Sequence, residues 1–405
     1  MIPKTPVKKR AMRVTIAGLI LLVVAYGLFA YSMPLPVLAP TVVLDTSASQ
    51  STNNFPWPAN VTSEAALSVN NAGVLAVHGG QTALPTASTA KIMTALAILD
   101  QRPLHIGEQG PEITISAADV AAYQADLAAG DSVVPVVAGE QLSEYQALEA
   151  LLLPSADNVA DILANWAFGS ASGYVTFVNN YALSLGMHDS YFSDASGLSS
   201  QTISTAADLV TLSSVAMTNP VFTQIVSLPK ANLPVAGTVS NVNTLIGQHN
   251  IIGIKTGNTP QAGGCYVVAS SETLDNMPVS IVGAIIGAKD LGAALAQGES
   301  LVQQAEKVIS VSTIVHAGQV VGEYPTPWSG TYKAVAAQGI ELATWAGEKP
   351  QYKVSLFSSK IPISNGSTVG KVSVILGQSE FSTYAISGQR FEAPSFWWRL
   401  THPRL

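Results

Sequence analysis

From Val14 to Tyr31 the chain runs eighteen residues without a charge, behind Lys4, Lys8, Lys9, Arg10 and Arg13 and no acidic residue. A helix of that length reaches about 27 Å, close to the thickness of a bilayer's hydrocarbon core. It is longer than the usual apolar stretch of a cleaved signal. Basic flanks stay on the cytoplasmic side, so the N-terminus is expected inside and everything after Tyr31 outside. Residues 1–13 therefore read as a basic cytoplasmic segment and 14–32 as a transmembrane signal-anchor in the cytoplasmic membrane. Ala30-Tyr31-Ser32 offers a cleavage site, and the alternative is a protein secreted after its removal.

The remaining chain is built for a water-facing core. Of 405 residues, 48% are hydrophobic and only 11% charged, a composition that folds rather than one that stays disordered. Net charge is −7, and −12 without the five N-terminal basic residues, which argues against a nucleic-acid partner. Cys265 is the only cysteine, so no intramolecular disulfide can form. The six histidines show no metal-ligand spacing, and no metal or cofactor is expected.

Met33 to Pro58 is rich in Pro, Ser, Thr and Asn, and residues 33–55 read as a flexible linker. A hairpin is expected from Ala65–Val69 and Val74–His78. Helical periodicity follows near 92–99, 116–128, 142–153, 157–168, 174–185 and 204–218. The pattern then turns to strands near 251–256, 264–271 and 278–287, with a last helix near 289–309. Early and late strands around inserted helices imply one α+β domain, over residues 56–304, whose sheet joins both ends of its sequence. Residues 310–390 alternate apolar and polar positions between turn clusters, the pattern of a small all-β domain. An aromatic tail, residues 391–405, carries Phe396-Trp397-Trp398-Arg399 and suits either a membrane interface or packing against the β domain.

The chemistry begins at Pro85-Thr86-Ala87-Ser88-Thr89-Ala90-Lys91, just ahead of the helical run 92–99. Residues three apart share a helix face, so the Lys91 amine can reach the Ser88 hydroxyl. A serine is a poor nucleophile until a base takes its proton, and a lysine in an apolar pocket can serve as that base. The helix start adds N–H groups for an oxyanion. A second Ser-x-x-Lys, Ser227 to Lys230, is read as accidental because Pro229 prevents the helical turn.

Two further stretches give the pair a context. Pro154-Ser155-Ala156-Asp157-Asn158 breaks two helical segments and can aim a hydroxyl with an amide or carboxylate into a cleft. Lys255-Thr256-Gly257 lies on a strand, where Lys255 and Thr256 can receive a carboxylate and Gly257 leaves room for a substrate backbone. Ser-x-x-Lys on a helix, then a serine loop, then Lys-Thr-Gly on a strand match the signature of penicillin-binding proteins and serine β-lactamases.

The chain resembles the low-molecular-mass penicillin-binding proteins, the serine D-alanyl-D-alanine carboxypeptidases of peptidase family S11, over about residues 56–304. Gly186 to Phe192, Ser196-Gly197-Leu198, Ser204 to Asp208 and Gly253 to Thr259 are similar to that family's sequence as well. The resemblance implies a DD-peptidase fold with a small β domain, and removal of the terminal D-alanine from peptidoglycan stem peptides in a bacterial cell wall. It implies Ser88 as acylated nucleophile, Lys91 as base and Ser155 as proton relay to the departing D-alanine. Lys255 and Thr256 would hold the substrate carboxylate, and the backbone N–H groups of Ser88 and Asn258 would form the oxyanion hole. β-Lactams would be covalent inhibitors. Two positions depart from the family pattern. Its second motif is usually Ser-x-Asn, whereas here Asp157 stands third and Asn158 follows, leaving the role to one or the other. An arginine is common after the strand beyond the third motif, and this chain offers Lys289, which lacks the bidentate fork.

Rival functions are narrowed by the same residues. A class A β-lactamase deacylates with a glutamate between the second and third motifs, and none occurs from Ser155 to Lys255. A D,D-endopeptidase of the same family differs only in leaving group. A non-catalytic wall scaffold has no need of Ser88, Lys91, Ser155 and Lys255 together.

Overall fold

A computed structural model describes residues 7–44, 55–70, 72–345, 350–376 and 379–402. Lys4, Asn71 and most of the linker's second half, 45–54, lie outside the described residues. The N-terminal helix α1, Val7–Ser32, carries its apolar side chains outward; Leu21 and Leu22 are each 69% exposed. A helix apolar all round and, away from its C-terminal end, uncovered by the rest of the described molecule fits lipid better than water.

The next domain is organised on a five-stranded antiparallel sheet. Its order is Ile251–Thr259, Gly263–Leu274, Met277–Ala288, Glu64–Val69 and Ala76–His78. The early strand Glu64–Val69 pairs with the late strand Met277–Ala288, with Ile281 opposite Val69, so the sheet does join both ends of the domain. Successive residues of a strand face opposite sides. Ala66, Val267, Ala269, Val282 and Ala284 therefore face one core, and Ala65, Leu67, Val268, Ile281 and Ile285 the other.

The first core is capped by helices: α2 (Lys91–Gln101), α3 (Ala117–Ala129), α4 (Glu144–Leu152), α5 (Asp157–Phe168), α6 (Ala171–Ser184), α7 (Ala206–Ala216) and α8 (Pro220–Val226). Every residue of α2 from Lys91 to Leu99 is buried, which makes it the axis of this layer. The helices start where capping chemistry allows. Ser116 with Asp119 and Ser143 with Gln146 form reciprocal capping boxes for α3 and α4. Gly130 ends α3 in the left-handed region. α8, absent from the periodicity analysis, is a short helix begun by the Asn219 cap and Pro220. Ser227 caps its end and Lys230 opens a strand, so that Ser-x-x-Lys shares no helical face. On the sheet's other face α9, Leu291–Val308, buries Leu301, Val302 and Ala305.

Between α9 and the tail the described residues form strands and their connections. Ile309–Val315 pairs with Ile340–Trp345, and Trp345 meets Phe55 edge to face at 5.8 Å, joining this module to the second core. A six-stranded antiparallel sheet follows the order Thr41–Val42, Val320–Thr326, Gly330–Ala336, Ser379–Ser387, Thr368–Leu376, Gln351–Leu356. Its first strand corrects the linker expectation. Thr41 and Val42 pair with Glu323 and Gly322, Leu38 bridges to Ser359, and Leu38 is buried in the β-domain core. The polar, proline-rich stretch looks unstructured because its partners lie some 280 residues away. The tail ends in a short helix α10, Phe396–Thr401, set against α1.

Candidate active site

The short strand Leu84–Pro85 pairs with Ile203–Ser204 and delivers the chain into a 3-10 turn, Ala87–Ala90, that runs directly into α2. Ser88 sits in this tight turn, one turn ahead of the α-helix proper, half-buried. Two glycines let the surroundings close on it. A Cβ on Gly257 would stand 2.9 Å from the Ser88 backbone nitrogen and 3.0 Å from Ala87 Cβ. A Cβ on Gly197, where φ is +82°, would stand 2.0 Å from the Ala87 carbonyl oxygen. The room at Gly257 is thus filled by the nucleophile turn itself, whereas sequence reasoning reserved it for a substrate backbone.

Lys91 is wholly buried, and its Nζ lies 2.8 Å from Ser88 Oγ, 2.5 Å from Asp157 Oδ1 and 2.9 Å from the Ser196 carbonyl oxygen. Burial pushes the ammonium's pKa down; Asp157 opposes this, with smaller help from Asp194 and Asp161. The net direction is downward, toward a lysine able to accept a proton.

Asp157 opens α5, and its other oxygen accepts the Ser132 N–H at 3.0 Å. Burial raises its pKa while Lys91 and the Ser132 N–H lower it. Asn158 points elsewhere: Oδ1 accepts from Val134 N at 3.2 Å and Nδ2 donates to Val134 O at 3.1 Å. The two neighbours divide the labour, Asp157 facing the lysine and Asn158 stitching the 131–137 loop to α5. Ser155 precedes them with φ +69°, 5% exposed, and its hydroxyl has no hydrogen-bond partner among the described residues. A left-handed serine between two helices is uncommon and costs local strain.

Lys255 comes in from the strand Ile251–Thr259, also buried, with Nζ donating to the Thr256 carbonyl at 3.1 Å. Burial first, and the like charge of Lys91 second, hold its pKa well below the usual lysine range; Asp157 opposes both. Thr256 is buried beside it, and Asn258 is exposed at the strand's end. Lys289 lies exposed just past the strand Met277–Ala288. Cys265 is a buried thiol pushed up to about 11 by burial, the state of a packing residue rather than a nucleophile. Among the described residues no group of three or more His, Cys, Asp and Glu is placed to hold a metal ion.

Sequence reasoning marked Ser196-Gly197-Leu198 only as a family likeness and missed the contact of the Ser196 carbonyl with Lys91. Asp194 organises this loop, accepting from Ser196 Oγ at 2.7 Å, from the Gly197 and Leu198 N–H groups at 2.9 Å each, and from the Thr202 hydroxyl. Thr94 on α2 ties in from below, donating to Ala195 O at 2.7 Å. An aspartate three residues before a glycine was the available signal. The arrangement as a whole sets the Ser88 hydroxyl against a buried amine, with a second buried amine close enough to feel its charge and the Ser155 hydroxyl without a partner among the described residues. It suits acyl transfer to Ser88 from a substrate ending in a carboxylate.

The family described as D-alanyl-D-alanine carboxypeptidase, peptidase S11, matches residues 50–289. The D-alanyl-D-alanine carboxypeptidase DacB2 of Mycobacterium tuberculosis is 34% identical over 205 residues, which span 49% of this chain and 66% of that relative. A D-alanyl-D-alanine endopeptidase of Escherichia coli is 28% identical over 271 residues, 63% of this chain and 81% of the relative. Penicillin binding protein 5 of Haemophilus influenzae shares the fold with a TM-score of 0.61 at 19% identity, covering 83% of this chain and 99% of that one. With the family pattern spanning most of the described sheet and helical layer, the chain belongs to the serine-type D-alanyl-D-alanine carboxypeptidases of peptidase family S11.

Proposed function

We propose that the protein removes the terminal D-alanine from peptidoglycan stem peptides through an acyl-enzyme on Ser88. The observation that carries this reading is the buried Lys91 Nζ at 2.8 Å from Ser88 Oγ; the buried Ser155 hydroxyl, without a hydrogen-bond partner among the described residues, is left for the relay. Ser88 Oγ attacks the penultimate D-alanine carbonyl as its proton passes to Lys91. The Ser88 and Asn258 N–H groups receive the oxyanion. Collapse breaks the peptide bond; the proton returns through Ser155 to the leaving amine, and D-alanine departs. Lys255 and Thr256 engage the terminal carboxylate, with the exposed Lys289 as a further positive charge. Water, deprotonated by Lys91, then attacks the ester and frees Ser88.

β-Lactams meet the same serine, and without a glutamate between Ser155 and Lys255 their adduct is long-lived. Mass spectrometry after incubation with benzylpenicillin tests this: a stable adduct on Ser88 is expected, and none on the Ser88→Ala variant. Absence of an adduct on the unaltered chain defeats the reading. An endopeptidase activity is the second reading, favoured by the relatives named D-alanyl-D-alanine endopeptidase. Free D-alanine release measured against cleavage of cross-linked dimers separates the two. We place the enzyme on the outer face of a bacterial cytoplasmic membrane, held by α1 with its basic end inside.

A further inference from the structure

We propose that Asp194 is a positioning residue for the reaction: it holds the Ser196–Gly197 peptide so that the Ser196 carbonyl fixes the direction in which the Lys91 amine faces Ser88. The inference deepens the proposed function and rests on Lys91 acting there as the base.

Among the described residues the Lys91 nitrogen meets Ser88 Oγ at 2.8 Å, Asp157 Oδ1 at 2.5 Å and the Ser196 carbonyl oxygen at 2.9 Å. An ammonium has one hydrogen for each. A neutral amine has two hydrogens and a lone pair, whereas a carboxylate and a carbonyl can only accept. With both hydrogens held by Asp157 and Ser196, the lone pair is left for the proton of the Ser88 hydroxyl. Without the carbonyl, one hydrogen is free to turn toward Ser88 Oγ and the lone pair to point elsewhere. The base would then be present but misdirected.

That carbonyl is aimed by its own peptide plane. The Ser196–Gly197 peptide is trans and planar, so its C=O and N–H point in opposite directions. Asp194 Oδ2 accepts the N–H end at 2.9 Å, and the C=O end lies on Lys91. The same carboxylate oxygen accepts from Leu198 N–H at 2.9 Å, Ser199 N–H at 3.4 Å and Ser196 Oγ at 2.7 Å, while Oδ1 accepts from the Thr202 hydroxyl. Three consecutive N–H groups thus converge on Asp194, which turns the carbonyl the other way.

The preceding carbonyl is pinned from α2. Thr94 Oγ1 donates to Ala195 O at 2.7 Å; with its one hydrogen there, it accepts from Tyr174 Oη at 2.7 Å. Thr94 and Lys91 stand three residues apart and share a face of α2, so one helix face bonds the Ala195 and Ser196 carbonyls in succession. Thr94, Tyr174, Ala195 and Ser196 are all buried, where water does not compete for these bonds. Asp194 also acts by its charge. Lys91 is faced by Asp157 and Asp161 from α5, by Asp194 from the loop and by Lys255 from the strand Ile251–Thr259. The Asp194 charge raises the lysine's pKa, so its loss lowers it.

The test uses the full chain and two substitutions that divide geometry from charge. Asp194→Asn keeps an oxygen for the N–H groups and an amide for Thr202, and loses the charge. Asp194→Glu keeps the charge and moves the acceptor by a methylene. Stopped-flow acylation by a fluorescent penicillin, over a range of concentrations and pH, separates the first-order acylation constant from the apparent dissociation constant; circular dichroism establishes folding. In Asp194→Glu the acylation constant on the high-pH plateau is expected to fall about 10²-fold, with the dissociation constant and the pH of the rise little changed. In Asp194→Asn the plateau is expected to hold while the rise moves to lower pH. A folded Asp194→Glu that acylates at the unaltered plateau rate overturns the inference and leaves Lys91 as base. So does an Asp194→Asn whose plateau is lost or whose rise stays in place, a result readable even where Asp194→Glu fails to fold. A loss in Asp194→Glu carried by the dissociation constant alone gives the loop to substrate binding and overturns the inference too. An unaltered chain that is not acylated at all removes the base, and this inference with it.

Discussion

Replacing Asp157 with asparagine restores the residue common in this family and changes little in shape, so its effect isolates one charge. In the unaltered protein the Asp157 carboxylate lies 2.5 Å from a wholly buried Lys91 and opposes the burial that drives the lysine's pKa down. An opposite charge at such range is worth about 1–3 pKa units. Removing it therefore lowers the lysine's pKa, since only the weaker pull of Asp194 and Asp161 then opposes burial. An asparagine amide can put its one oxygen where Asp157 Oδ2 accepts the Ser132 N–H while its N–H donates to the lone pair of a neutral Lys91 amine, which favours the unprotonated base further. Acylation needs that neutral amine, so its rate rises with pH through the apparent pKa of the coupled Lys91–Asp157 pair. In Asp157→Asn this rise moves to lower pH by about 1–3 units, and below it the rate gains about tenfold per unit. The assay is the second-order rate of labelling by a fluorescent penicillin across the pH range, with circular dichroism to establish equal folding. A rise that stays in place, or moves to higher pH, refutes the argument that Asp157 holds the proton on Lys91.

Other substitutions separate structure from chemistry. Ser155→Ala removes a hydroxyl with no partner among the described residues, so melting temperature should hold while acylation falls about 10²–10⁴-fold; an equal loss of stability would argue for a structural serine. Gly197→Ala drives a Cβ into the Ala87 carbonyl at a positive φ, and about 2–5 kcal/mol of stability should go, together with Ser88 labelling, in denaturant unfolding and penicillin-binding assays. Glu144 is buried with both oxygens unpartnered among the described residues, and burial pushes its carboxyl to about 7. Its folded pKa exceeds the unfolded one, so the unfolded chain loses the proton first and stability falls as pH rises from about 4.5 to about 7. Glu144→Gln should thus gain melting temperature over the unaltered chain at about pH 8 and gain least at about pH 5; a constant gap would contradict this.

Periodic and local signals were legible in the sequence. The all-buried α2, the capped starts of α3 and α4, and a sheet joining both ends of the domain all follow from side-chain pattern and turn chemistry. The spacing of Ser88 and Lys91 already implied contact, because three residues return to one helical face whether the turn is 3-10 or α. What stayed hidden depends on backbone atoms and distant partners. The Ser196 carbonyl on Lys91 carries no side-chain signature, and Asp194 acts through five donors that only the folded loop assembles. Asp157 and Asn158 could not be told apart by composition; helix phase turns one toward Lys91 and the other toward Val134. The strand Thr41–Val42 is too short and polar to announce itself, and exists because the edge strand Val320–Thr326 is there to pair with it.

The pairing of Glu64–Val69 with Met277–Ala288 also sets an order of events in time. A chain emerging N-terminus first exposes Ser88 and Lys91 early, on a helix that local contacts can begin to form. Gly257, which closes on the nucleophile turn, and Lys255 arrive only after the whole helical layer has been made. The strand carrying Val69 waits for Ile281, more than 200 residues later, before it gains its central partner. Such long-range closure is slow, and it comes last. An unfinished chain therefore holds Ser88 and Lys91 without the strand that closes on them, and under the proposed function labelling by penicillin is expected to mark completion of the fold.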